Sequence, residues 1–237
     1  MGFAEMKRHA WGLSVVLLGA CTPASEGPVD RTGGVEQEIL DGAQRAVGLW
    51  PTPVSLHVLA DATVEGPSGE FRTVIHSSSD GRVRMQQSHS GFQAGVGRTG
   101  GWLVNSDSSR TDMPGEVAAF VRSHEVHMLA LLPTSRLEDP EFLGTQQLDS
   151  QPVMAVAFSS DSVVAYFSQA DTLPVGLRFA WIEPEVVVHW RKWTELSGVA
   201  LFREATFVQG PEEWHYTYDR LDLSPLQDSV FEASAVR

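Results

Sequence analysis

"VSLHVLADATVEGPSGEFRTVIHSSSDGRVRMQQS", residues 54–88, decides the fold class. Val54, Leu56, Val58, Ala60, Ala62 and Val64 recur at a period of two, which places them on one face of a strand. Gly66-Pro67-Ser68-Gly69 follows as a turn. In the next run Phe71, Thr73 and Ile75 alternate with Arg72 and His76. "SSSDG" turns the chain again, and Val83 and Met85 then alternate with Arg82, Arg84 and Gln86. Successive half-buried strands joined by short turns make an antiparallel meander.

The same pattern extends toward the C-terminus. "GFQAGVGRTGGWLVNSD" (91–107) supplies two more short strands around Gly97–Gly101. Further strands are expected near 144–149, 152–159, 162–168, 174–182, 186–194, 200–209 and 213–221. "VGLRFAW" sets Val175, Leu177, Phe179 and Trp181 on one face. "VVVHWRKW" sets Val186, Val188 and Trp190 on one face and His189, Arg191 and Trp193 on the other. Two segments differ. Val35, Ile39, Ala43, Ala46 and Val47 fall at helical spacing and stop at Gly48. Residues 114–135 carry Val117, Phe120, Val121, His124, Met128 and Leu131 on one helical stripe, as one helix or a pair of short ones ended by Pro133. The expected fold is mainly β in an α+β arrangement: a curved antiparallel sheet of about 11 strands, an incomplete β-barrel, with helices covering its concave face.

Four stretches resemble the periplasmic lipoprotein-carrier fold, LolA/LolB-like, which includes many outer membrane lipoprotein-sorting proteins. They are "ILDGAQRAVGLWPTPVSLHVLADATV" (39–64), "GRTGGWLVNSD" (97–107), "DTLPVGLRF" (171–179) and "WRKWTELSGVALFREATF" (190–207). The resemblance implies a half-barrel with helices as a lid, enclosing an apolar cavity that accepts acyl chains. The receptor member of that family has a protruding apolar loop between early strands. Here the corresponding loop, Gly66–Gly69, is short and polar. That departure favours a general lipid or lipopeptide binder over an inserter of lipoproteins.

The start of the chain is an address label. Lys7 and Arg8 precede an apolar run from Ala10 to Ala20, and Cys21-Thr22-Pro23 follows. The run is shorter than the roughly 20 residues a spanning helix needs, and it has the parts of a secretory signal. Leu18-Gly19-Ala20-Cys21 resembles the lipobox of bacterial lipoproteins, in which the signal is cut before the cysteine and the cysteine takes lipid. The expected organisation is a signal peptide at 1–20, the lipidated Cys21 with a flexible tether to 34, and a LolA/LolB-like domain at 35–237. Cys21 is the chain's one cysteine, so no internal disulfide forms. A palmitate-type lipid anchor would hold the protein in the cell envelope, on the outer membrane facing the periplasm.

Removing residues 1–20 takes away Glu5, Lys7 and Arg8, which leaves 15 basic and 29 acidic side chains and a net charge of −14. A chain so acidic is a poor ligand for nucleic acid, whose binding depends on neutralising phosphates. His124-Glu125-Val126-His127 lacks the H-E-x-x-H spacing of a zinc protease and reads as two ordinary helix histidines. The serine clusters at 77–79, 106–109 and 159–162 contain no nucleophile elbow. "GVGRTGG" (95–101) does not have the order of a dinucleotide loop. The expected protein is a monomeric, non-enzymatic binder with no metal or cofactor. Its ligand is a lipid or a lipidated protein, and the candidate cavity residues are Val58, Phe71, Met85, Phe92, Phe158, Phe179 and Trp190. The competing expectation is an envelope protein–protein interaction or stress-sensing module whose interior is filled by its own side chains. A cavity of several hundred Å3 would favour the binder (roughly the size range of ligand sites).

Overall fold

Each turn foreseen in residues 54–88 closes a hairpin in the computed structural model, which describes residues 34–49, 55–97, 100–104, 109–131, 137–158, 163–180 and 182–231. Strands β1 (Leu56–Gly66) and β2 (Gly69–Ser78) pair from Gly66↔Gly69 back to His57↔Ser78. Strands β3 (Val83–Gln87), β4 (Gln93–Val96), β5 (Gly101–Val104) and β6 (Arg110–Asp112) continue the meander to one edge. After the helices, β7 (Pro140–Leu148), β8 (Gln151–Phe158), β9 (Val163–Ser168), β10 (Pro174–Phe179), β11 (Val186–Leu196), β12 (Val199–Gln209) and β13 (Glu212–Pro225) run back from the other edge. Among the described residues the sheet has 13 antiparallel strands in the order β6-β5-β4-β3-β2-β1-β13-β12-β11-β10-β9-β8-β7 and stays open. The two meanders join at one seam, where β1 pairs with β13 from Leu56↔Pro225 to Glu65↔His215 around a bulge at Asp61/Ala62. Twist accumulated over so many strands curls a sheet instead of leaving it flat.

Helix α1 (Val35–Ala46) buries Ile39, Leu40 and Ala43, with Glu36 and Glu38 in its first turn, where the helix dipole favours acids. Gly48 ends it at φ 79°. A Cβ there would stand 2.0 Å from the Gly198 carbonyl oxygen, so only glycine fits between the helix end and the β11–β12 turn. The helical stripe at 114–135 becomes two pieces, α2 (Gly115–Ser123) and α3 (Val126–Leu131), broken at His124-Glu125. All six residues of α3 are buried. Pro133 lies outside the described residues.

The main core cluster holds Val58, Ala60, Ala62 and Val64 of β1, Ile75 of β2, Met85 of β3, Phe179 of β10 and Val188 of β11 together with Leu40, Met128 and Leu131 of the helices, and a smaller one lies on the other face. Three expectations need correction. β6 was not foreseen: Arg110-Thr111-Asp112 is fully exposed and has no apolar alternation to reveal it. Val175 does not share a face with Leu177 and Phe179. It packs with Val153, Ala155, Val164 and Tyr166, because a register shift between Pro174 and Gly176 changes the phase of the strand. Trp193 does not stand opposite Trp190: both pack on Phe202, at 5.6 and 5.2 Å between ring centroids. Lys192 between them takes φ 54°, which interrupts the pleat. Trp181 lies outside the described residues.

The C-terminal turn (Asp228–Val230) straps the early strands. Arg82 pairs with Asp228 at 2.8 Å, Arg84 Nη1 donates to the Val230 carbonyl at 3.0 Å, and the Arg82 guanidinium stands 4.9 Å from the centre of the Phe231 ring.

Candidate functional site: a half-enclosed apolar cavity

A cavity of about 340 Å3 opens between α2 and the sheet. Its apolar walls are Phe71 of β2, Ala119 and Phe120 of α2, Val186 of β11, Phe207 of β12 and Trp214 of β13, with Ile182 at the side. Alternation explains the sheet side, since Phe71, Val186 and Phe207 lie on the helix-covered face of their strands. Trp214 can lie flat over β1 because Gly66 beneath it has no side chain; a Cβ there would come within 2.3 Å of the indole. On the helix side, Glu116, Phe120 and His124 stand four residues apart and share one stripe. Phe120 is 42% exposed, high for so large an apolar ring, and packs edge-on against Phe92 at 6.2 Å.

One buried polar network backs the cavity. His124 Nδ1 lies 2.9 Å from the Phe120 carbonyl oxygen, and its Nε2 lies 2.9 Å from the Tyr216 hydroxyl. A carbonyl oxygen only accepts, so Nδ1 carries the hydrogen and Nε2 accepts from Tyr216. Ser123 Oγ donates to the same carbonyl at 2.7 Å. Burial holds the His124 pKa down at about 4, against a smaller upward pull from the Phe120 carbonyl, and pushes the Tyr216 hydroxyl up. The imidazole is therefore neutral at physiological pH. Phe207 stacks on it at 5.3 Å.

His127 does not join His124 on a common helix face. It belongs to α3, its Nε2 lies 3.1 Å from the Phe202 carbonyl oxygen, and its ring stacks on Phe202 at 3.9 Å. Burial lowers its pKa to about 4 as well. The helix break sends the two imidazoles to different partners on β12 and β13. Among the described residues no group of three or more His, Cys, Asp or Glu converges as a metal site.

Of the residues singled out in the sequence, Phe71 lines this cavity. Phe92 packs against the core beside it, in contact with Phe120. Val58, Met85, Phe158, Phe179 and Trp190 are buried in the same continuous core. Trp190 also borders a separate hollow with Asp149, His189 and Arg191, where Asp149 pairs with both His189 and Arg191 at 3.1 Å. Cys21 lies outside the described residues. Sequence reasoning missed Phe120, Phe207, Trp214 and Tyr216 as cavity walls. Tyr216 and Tyr218 do alternate in "WHYTYDR", but alternation reports a buried face and not a void above it.

The architecture has solved counterparts. A LolA superfamily protein from Nitrosomonas europaea (NE2245) superposes with a TM-score of 0.58 over 85% of this chain and 99% of its own, at 14% identity. A DUF1329 family protein from Desulfovibrio piger gives a TM-score of 0.56 over 85% and 99%, at 13% identity. The fold is LolA-like. A domain assigned to an outer membrane lipoprotein-sorting protein of Vibrio parahaemolyticus agrees, with a TM-score of 0.54, 83% and 97% coverage and 9% identity. No protein-family model and no curated protein matches the sequence. In LolA-like terms this chain is an open half-barrel with its helices on one face, and the cavity lies where α2 crosses the sheet. Among the described residues no helix is long and apolar enough to cross a membrane.

Proposed function

We propose that this LolA-like protein is a non-enzymatic envelope lipoprotein that shelters the apolar part of a lipid or of a lipidated protein. One observation carries the reading: a cavity of about 340 Å3 walled by Phe71, Phe120, Phe207, Trp214 and Tyr216, within the range typical of ligand sites. A solid interior would have favoured an interaction module. Phe71 is a wall of the site, and Val58, Met85, Phe158, Phe179 and Trp190, with Phe92 packed against them, belong to the apolar core that carries it. Binding is driven by apolar burial, about 25 cal/mol per Å2. Helix α2 forms the outer wall, with Phe120 exposed on it. Cys21 carries the anchor, and the domain from residue 35 faces water.

Two measurements test this. N-phenyl-1-naphthylamine, a neutral apolar dye, should show saturable one-site fluorescence enhancement with the purified protein. Phe120→Glu should weaken it on the order of tenfold, the scale of one lost apolar contact plus a charge in the wall. A linear, non-saturating response in the native protein would remove the carrier function. Cys21→Ala should abolish incorporation of labelled palmitate; continued labelling would place the anchor elsewhere.

A further inference from the structure

We infer that the cavity selects amphiphiles with a cationic amine headgroup over fatty-acid anions, an inference that rests on the carrier function above. Its rim holds two carboxylates, Glu116 at the start of α2 and Glu183 beside β11. Among the described residues they are the only side chains lining the cavity that carry full charge, because His124 is held neutral by its pKa of about 4. No Lys or Arg lines it among the described residues. The remaining polar groups are neutral. Tyr216 has its hydrogen committed to His124, so it offers a ligand only a lone pair. Gln209 has an amide hydrogen committed to the Pro184 carbonyl at 3.0 Å. Gln87, the second amide hydrogen of Gln209 and the Trp214 indole can donate, but neutral donors do not offset two carboxylates at the mouth of a low-dielectric pocket. Glu116 and Glu183 are exposed where the cavity meets water, so a chain seated against Phe71, Phe207 and Tyr216 with its polar end toward solvent would bring its headgroup to them. An ammonium there meets two acceptors of opposite charge; a carboxylate meets two like charges. The whole chain's net charge of −13 adds to the same bias.

Three ligands of one chain length separate headgroup from tail: dodecylammonium, dodecanol and dodecanoate, each below its micellar concentration, displacing N-phenyl-1-naphthylamine at pH 7.5. In the native protein the amine should displace at a concentration on the order of tenfold below the alcohol, and the acid above it, with the spread shrinking as salt rises. In the Glu116→Gln, Glu183→Gln double variant the three should converge, judged against the variant's own dye titration. Both glutamates are exposed, so an unchanged melting curve is expected of the variant. An amine no better than the alcohol, or a preference that survives in the variant, overturns the inference while the alcohol's displacement upholds the carrier function. Failure of the dye and of all three ligands to bind removes that function, and the inference falls with it.

Discussion

At the scale of single residues, the informative groups are buried histidines. His124 and His127 both have pKa values near 4 in the folded protein, against 6.5 for the free side chain, with desolvation as the leading cause. The unfolded chain therefore binds more protons than the native one between pH 6.5 and about 4. Stability is full above pH 6.5 and falls as the pH drops through that window, by up to a few kcal/mol for each histidine. Thermal unfolding from pH 7 to pH 4 should show a steep fall in melting temperature. His127→Phe should remove about one proton from its slope, and an unchanged slope would mean that His127 does not titrate with unfolding. Tyr216→Phe leaves His124 Nε2 without its donor. The expected cost is about 1–3 kcal/mol, that of stranding one buried acceptor, read by denaturant titration.

At the scale of elements, the helices are held by their ends and by their apolar faces. Gly48→Ala puts a methyl group into the Gly198 carbonyl and strains a φ of 79°. It should cost more than about 2 kcal/mol, whereas Gly69→Ala, at φ 100° with open space around it, carries only the backbone strain of about 1 kcal/mol. Equal effects at the two sites would refute the close approach of α1 to the β11–β12 turn. Helix α3 is six residues long, too short to persist by propensity, and is held by burial of every side chain. Leu131→Ala, at 0% exposure, should cost about 2–5 kcal/mol in chemical denaturation.

At the scale of the whole molecule, the β1–β13 seam joins two meanders that are each local in sequence. Its contacts pair residues far apart in the chain, so its closure is the step with the largest loop entropy. A proline in the seam removes a ladder donor from a central strand. Ala60→Pro, between Ile75 and Leu221, should lower stability by roughly 3 kcal/mol or more, or abolish cooperative unfolding. Asp112→Pro on the edge strand β6 is the control. The Met113 N–H bonds to Gly101, so the Asp112 N–H points away from β5, and the change should stay within about 1 kcal/mol. If both substitutions are tolerated alike, the seam is not a central pairing.

Most strands, most of their turns and the buried face of each are legible in the residues alone, because a half-buried strand writes its environment at a period of two and Gly-Pro-Ser-Gly at 66–69 leaves few alternatives to a turn. The sequence also carried the LolA-like resemblance that the superposition supports. Where a strand lost that period, legibility stopped: at exposed β6, at the shift near Pro174 and at Lys192. Which strands are neighbours across the seam, and which of many apolar side chains face a void, emerges from the folded chain alone. Val58 and Phe71 have the same signature in sequence, yet one is packed on all sides and the other lines a cavity. Burial is a property of a strand's face and is local, while a cavity is the volume left where α2, β2 and β11–β13 fail to meet, set by side chains more than a hundred residues apart.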